Sequence, residues 1–215
     1  MKADLNPQTL SAFWQWFETN DDDLFNLEQN TEDTFDRLSE AMHRVDQNLT
    51  FEFSNVLEDG SREFVISANG IKSSFRSVEA LYATAPWLRR WKFLRFRQRR
   101  RPLNAFKFRF GPHFIAASKV HYALFRDTKP GKVGIMLFLD GYSAKDRDSW
   151  DKIGYLFLDA ALGEYDVETH VGNILILGRD SEHFRKARHL DGLAGHFDKM
   201  LGRGVENEAH AGQLS

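Results

Sequence analysis

Twelve Lys or Arg residues and no Asp or Glu lie between positions 80 and 126 of this 215-residue chain. Within that tract Arg89, Arg90, Lys92, Arg95, Arg97, Arg99, Arg100 and Arg101 alternate with Trp87, Trp91, Phe93 and Phe96. If 91–99 is a strand, residues two apart share a face, so Arg95, Arg97 and Arg99 project together while Leu94 and Phe96 take the other side. Phe106-Lys107-Phe108-Arg109-Phe110 repeats the pattern, with three rings on one face and two cations on the other. Guanidinium groups beside rings can neutralise phosphates and stack on bases. The candidate anion- or partner-binding residues are therefore Arg95, Arg97, Arg99, Arg100, Arg101, Lys107 and Arg109. The plainer alternative is that these cations line the solvent face of a sheet, or pair with acidic helices of the same or a neighbouring chain.

Carboxylates gather further along, at Asp140, Asp146, Asp148, Asp151, Asp159, Glu164, Asp166 and Glu168. Their spacing matches neither an EF-hand loop nor a two-metal motif. Asp148 and Asp151 are what a helix N-terminus favours. Glu164 and Asp166 stand apart because they follow Leu162-Gly163, which reads as a helix end where carboxylates oppose the dipole. On an extended segment the two would face the same way and repel, which would raise one pKa toward acid–base use. In a turn after Gly163 they would diverge into solvent, and the turn is the reading expected.

His183, His189 and His196 fall on one expected helix. Positions 189 and 196 lie two turns apart, about 10 Å along the axis, too far to share one metal ion. His113 and His121 stand near strands without an evident partner. The chain has no Cys, no Gly-rich phosphate loop and no G-x-S-x-G. With no nucleophile, metal set or phosphate cradle at a fixed spacing, the reading leans away from an enzyme, and no metal or cofactor is expected.

The elements that must position these residues can be read from periodicity. Asn6-Pro7 caps a helix bearing Leu10, Phe13, Trp14 and Phe17 at i, i+3, i+4 and i+7. A second helix opens near Asn30 or Thr31 with Phe35, Leu38, Met42 and Val45. The period then shifts to two. Phe51 and Phe53 lead through Glu58-Asp59-Gly60-Ser61 to a returning strand over 63–67. A helix with Phe75, Val78, Leu81 and Tyr82 stops at Pro86, and Trp91 opens a strand.

The order recurs with strands over 119–126 and 133–139, a helix with Trp150, Ile153, Phe157 and Ala161, and a strand over 171–177. The expected fold class is α+β, a mostly antiparallel sheet from two β-β-α-β units related to ferredoxin-like architecture. Its helices pack on one face and a helical pair precedes it. A single domain is expected over 1–201, comprising the helical pair 1–47, the duplicated core 48–178 and a C-terminal helix 181–201. A disordered tail is expected over 202–215.

Hydrophobic residues at 42% and charged residues at 28% are ordinary for a folded protein. No apolar run approaches membrane-spanning length, and with no Cys a cytoplasmic, reducing location is the default. The net charge of −2 conceals the basic tract, since the rest of the chain carries seventeen basic against thirty-one acidic residues.

Two stretches carry a resemblance. One is Val65-Ile66-Ser67-Ala68-Asn69-Gly70 with Phe75, Val78, Leu81, Ala85-Pro86 and Trp91. The other is Leu158-Asp159-Ala160-Ala161-Leu162-Gly163-Glu164-Tyr165-Asp166-Val167. Together they resemble blocks in a family of uncharacterised bacterial proteins, over roughly Phe51 to Leu177. The resemblance implies a bacterial origin and no activity, and Arg95 to Arg101 is more basic than that pattern. The function expected first is a cytoplasmic, non-enzymatic module that binds a protein partner, or itself, through a charge-segregated surface without engaging a membrane. Next comes weak polyanion, nucleic-acid or phosphorylated-ligand binding by the basic aromatic strands 89–109. A metal-assisted enzyme using Glu164 and Asp166 comes third.

Overall fold

In a computed structural model of the chain, residues 6–26 and 31–203 are described. The Asn30 helix start and the tail from 204 onward lie outside the described residues. Where the sequence suggests one α+β domain, the contacts fall into two compact units, Met1–Arg97 and Gln98–Ser215. Each has its own hydrophobic core.

In the first unit, α1 (Pro7–Thr19) begins where the Asn6 side chain accepts from the Gln8 amide and Pro7 occupies the first turn. Its stripe of Leu10, Phe13, Trp14 and Phe17 is buried. A short helix that periodicity did not announce, α2 (Asp21–Phe25), follows, with three Asp residues in its first turn. Helix α3 (Thr31–His43) buries Leu38 and Met42.

The sheet of this unit comprises β1 (Thr50–Phe53), β2 (Arg62–Ser67) and β3 (Trp91–Arg95) in the order β1-β2-β3. β1 is antiparallel to β2, and β3 is parallel to it. Helix α4 (Phe75–Ala83) supplies the crossover between β2 and β3. Register places Phe53, Phe64 and Phe93 side by side on one face. That face receives α1, with the Phe17 ring 5.1 Å from Phe64, 5.1 Å from Trp91 and 5.5 Å from Phe93. The Trp14 indole donates to the Leu81 carbonyl at 3.0 Å and so ties α1 to α4.

The second unit opens with a hairpin of β4 (Lys107–Phe110) and β5 (His113–Ala116), which forms a separate two-stranded sheet. The main sheet comprises β6 (His121–Arg126), β7 (Val133–Phe138), β8 (Val171–Leu177) and β9 (Arg188–His189), in the order β8-β7-β6-β9. β6 is antiparallel to β7 and β8 is parallel to β7, the arrangement of the first unit over again. The crossover here is α5 (Arg147–Leu162) followed by α6 (Glu164–His170). Tyr122, Leu137 and Ile176 share a face by register, and that face buries Trp150, Ile153, Phe157 and Ala161 of α5. At Gly134 a Cβ would come 2.2 Å from the Phe125 ring, so the two strands close only with glycine there.

The fold is thus α+β, with antiparallel pairing dominant and the helices of each unit on one face of its sheet. Two of the expected elements end or break where the sequence suggests they continue. The strand expected over 91–99 ends at Arg95. The continuous helix expected over 181–201 is instead a 3₁₀ turn at Glu182–Lys186, the two-residue β9, and α7 (Leu193–Met200). The Leu190 amide donates to the Val120 carbonyl at 3.1 Å, and β9 pairs with β6. Sheet pairing there replaces the helical turn that the spacing of Phe184, Ala187 and Leu190 suggested. No helix among the described residues is long and apolar enough to cross a membrane.

Candidate partner-binding surface

The basic tract is divided between the two units, with the residues up to Arg97 in the first and those from Gln98 in the second. Phe96 takes a φ of 61°, a left-handed conformation uncommon outside glycine, and its ring packs 4.6 Å from Phe75 at 4% exposure. The alternation that would align Arg95, Arg97 and Arg99 therefore breaks at Phe96. Arg95 is exposed, its guanidinium 5.7 Å from the Tyr82 ring centroid. Arg97 donates to the Asn69 side chain at 3.2 Å and lies 3.8 Å from Glu52. Upstream, Arg90 bridges Asp21 and Asp22, each at 2.6 Å, the Trp91 indole also donates to Asp21, and Lys92 meets Asp59 at 2.6 Å. Charges far apart in sequence are neighbours in this unit.

Arg99 belongs to a different setting, in the second unit. Its two terminal nitrogens donate to Asp198 at 2.7 and 2.8 Å, and one of them to Asp166 at 2.7 Å. Its Nε donates to the Leu162 carbonyl, which α5 leaves unpaired at its end. Arg203 donates to Asp166 at 2.9 Å, so that residue is part of the network rather than of a tail. Hydrogen bonding to Asp198 raises the Arg99 pKa, and the Arg99 guanidinium holds Asp198 below the usual carboxylate range against the opposing effect of burial.

Glu164 and Asp166 are corrected by the same geometry. Gly163, at φ 78°, ends α5 and starts α6 at once, so both carboxylates sit in a new first turn where the dipole favours them. Neither diverges into solvent, for Glu164 is 0% exposed and Asp166 is clamped between two arginines. Among the described residues no three His, Asp or Glu side chains converge as a metal-binding group.

Lys107 and Arg109 remain together on the β4–β5 hairpin. Phe108, Phe110 and Ile115 turn toward the core of the second unit, and alternation sends Lys107 and Arg109 outward, where both are exposed. Register sets Arg109 opposite Phe114. The Phe114 ring is 61% exposed with the Arg109 guanidinium 6.0 Å from its centroid, a cation–π arrangement. Arg100, also exposed, lies 5.0 Å from the Phe106 ring, and Arg101 is exposed beside it. The sequence does not mark Phe114, because His113-Phe114-Ile115-Ala116 alternates too briefly to say which of Phe114 and Ile115 faces inward. The register against β4 decides it.

The histidines disperse as well. His113 lies 3.2 Å from Asp146 and against Trp150, and His121 packs against His189 across β6 and β9 with ring centroids 4.4 Å apart. Burial and the charges of His189 and Arg179 push the His121 pKa down. His196 Nδ1 lies 3.2 Å from the Tyr122 hydroxyl, which itself donates to the Gly192 carbonyl. No family model, curated protein or solved structure matches this chain.

Proposed function

We propose that this protein is a non-enzymatic binding module that docks an acidic protein partner on the outward face of the β4–β5 hairpin. One observation carries the reading: Phe114, a large apolar ring 61% exposed, stands over Arg109 with Lys107 on the same face. Aromatic residues and arginine are the types that concentrate binding energy in protein interfaces. A rigid support underlies this face, because Phe108 and Phe110 anchor the hairpin in the core. The other strong cations of the tract, Arg90, Arg97 and Arg99, have partners in their own units, which favours a small protein interface over a long phosphate-tracking groove.

The test is fluorescence anisotropy of a labelled acidic peptide, alternating Glu and Tyr, against a labelled single-stranded oligonucleotide. The expected result is peptide binding at low salt that falls at least about tenfold in the doubly substituted protein Lys107→Glu/Arg109→Glu and several-fold in Phe114→Ala. Stronger binding of the oligonucleotide than of the peptide would overturn the reading in favour of a polyanion site. Equal peptide binding by wild type and variants would overturn it outright.

A further inference from the structure

The β4–β5 hairpin is a sheet of only two strands, so both of its edges end in backbone groups. Which groups these are follows from the pairing. The Ala117 amide donates to the Phe106 carbonyl at 2.8 Å, and the register pairs Phe108 with Ile115 and Phe110 with His113. Antiparallel ladders alternate bonded and non-bonded pairs, so Phe106, Phe108 and Phe110 direct their amides and carbonyls toward β5. Lys107 and Arg109 direct theirs away from it. Among the described residues these outward groups have no backbone partner.

An open edge is a template for another strand, and proteins commonly guard it with lysine or other charges. Lys107 and Arg109 oppose a second copy of β4, since like charges would face one another across the new ladder. Toward an acidic strand the same two charges turn from guard to attractant. Their spacing of two matches the side-chain period of an extended peptide, so acidic residues at alternate positions fall opposite them.

Resting on the docking surface proposed above, we infer that the partner is bound by strand addition: an extended segment with acidic residues at alternate positions pairs with the outer edge of β4. Backbone bonds to Lys107 and Arg109 supply the register, and their side chains select the acids. Phe114 stays exposed on the same face as Lys107 and Arg109.

The experiment uses the full chain and a blocked nine-residue peptide alternating Glu and Val. Two N-methylated versions are compared, one methylated at every Glu amide and one at every Val amide. Amides of a strand alternate in direction, so strand addition makes one version lose about tenfold or more in affinity while the other stays within about twofold of the parent. Amide exchange at Lys107 and Arg109 should also slow on binding. If the peptide binds, loses affinity in Lys107→Glu/Arg109→Glu, yet tolerates both methylation patterns equally without slowed exchange, strand addition is wrong and side-chain docking stands. Binding indifferent to the charge reversal, or no binding at millimolar peptide, would overturn both.

Discussion

Phe17→Ala is expected to destabilise the protein by about 3–5 kcal/mol, the range for removing a fully buried Phe ring. Phe17 is 0% exposed and touches rings from its own helix and from two strands, with centroids of Phe64, Trp91 and Phe93 all within 5.5 Å. Those neighbours are held by the β2–β3 register and cannot close in without breaking it, so the cavity persists. A domain of this kind has a total stability of about 5–15 kcal/mol, so much of it would be lost. Guanidinium denaturation followed by tryptophan fluorescence measures the effect, because Trp14 and Trp91 stand within the cluster. A loss under about 1 kcal/mol would mean that α1 does not pack on the sheet as described.

Arg99→Ala should be comparably severe, about 2–4 kcal/mol. That is the cost of leaving partly buried carboxylates without their cation, reduced from the fully buried case by the residual exposure of Asp166 and Asp198. The side chains of Arg99, Asp166 and Asp198 are 21%, 14% and 22% exposed. The effect has a direction in pH. Arg99 depresses the Asp198 pKa, so the pair contributes stability above the unfolded carboxylate value and loses it as pH falls through the lower folded value. Melting curves of wild type and Arg99→Ala should therefore lie far apart at pH 7 and converge as pH falls below about 4. A gap that stays constant with pH would show that Arg99 contributes through packing alone.

Local patterns carried most of the fold. The Asn6-Pro7 start, the stripe from Leu10 to Phe17, the helix through Phe75, Val78 and Leu81 and the strand from Val171 to Leu177 all stand where periodicity and capping put them. At the C-terminal helix, long-range pairing outranked local spacing. The histidine helix gave way to β9 because Leu190 is held by the Val120 carbonyl seventy residues earlier in the chain. Gly163 was legible as a helix end, but not as the start of the next helix, and that difference reverses the meaning of Glu164 and Asp166.

The candidate site was legible as a composition and illegible as a geometry. A sequence shows twelve cations in a row of positions without acids. It does not show that Asp198, 99 residues away, takes Arg99, or that Asp21 takes Arg90. Lys107 and Arg109 were recoverable because their alternation with Phe108 and Phe110 is a short-range signal, whereas Phe114 needed the register. Charge segregated along a chain does not show which of its cations have partners within their own unit.

Photo-crosslinking from the position of Phe114 itself puts the proposed binding surface to its sharpest trial. Benzoylphenylalanine is placed at 114 in the full-length protein, and separately at Trp87, which is 87% exposed in the first unit. Irradiation in the native cells, followed by peptide mapping of the adducts, reads which molecules reach each site. The predicted result is a discrete protein adduct at 114, mapping to an acidic segment, absent at 87 and lost when Lys107 and Arg109 are changed to Glu. Adducts at 114 that form on nucleic acid, or that persist unchanged after the charge reversal, would contradict it.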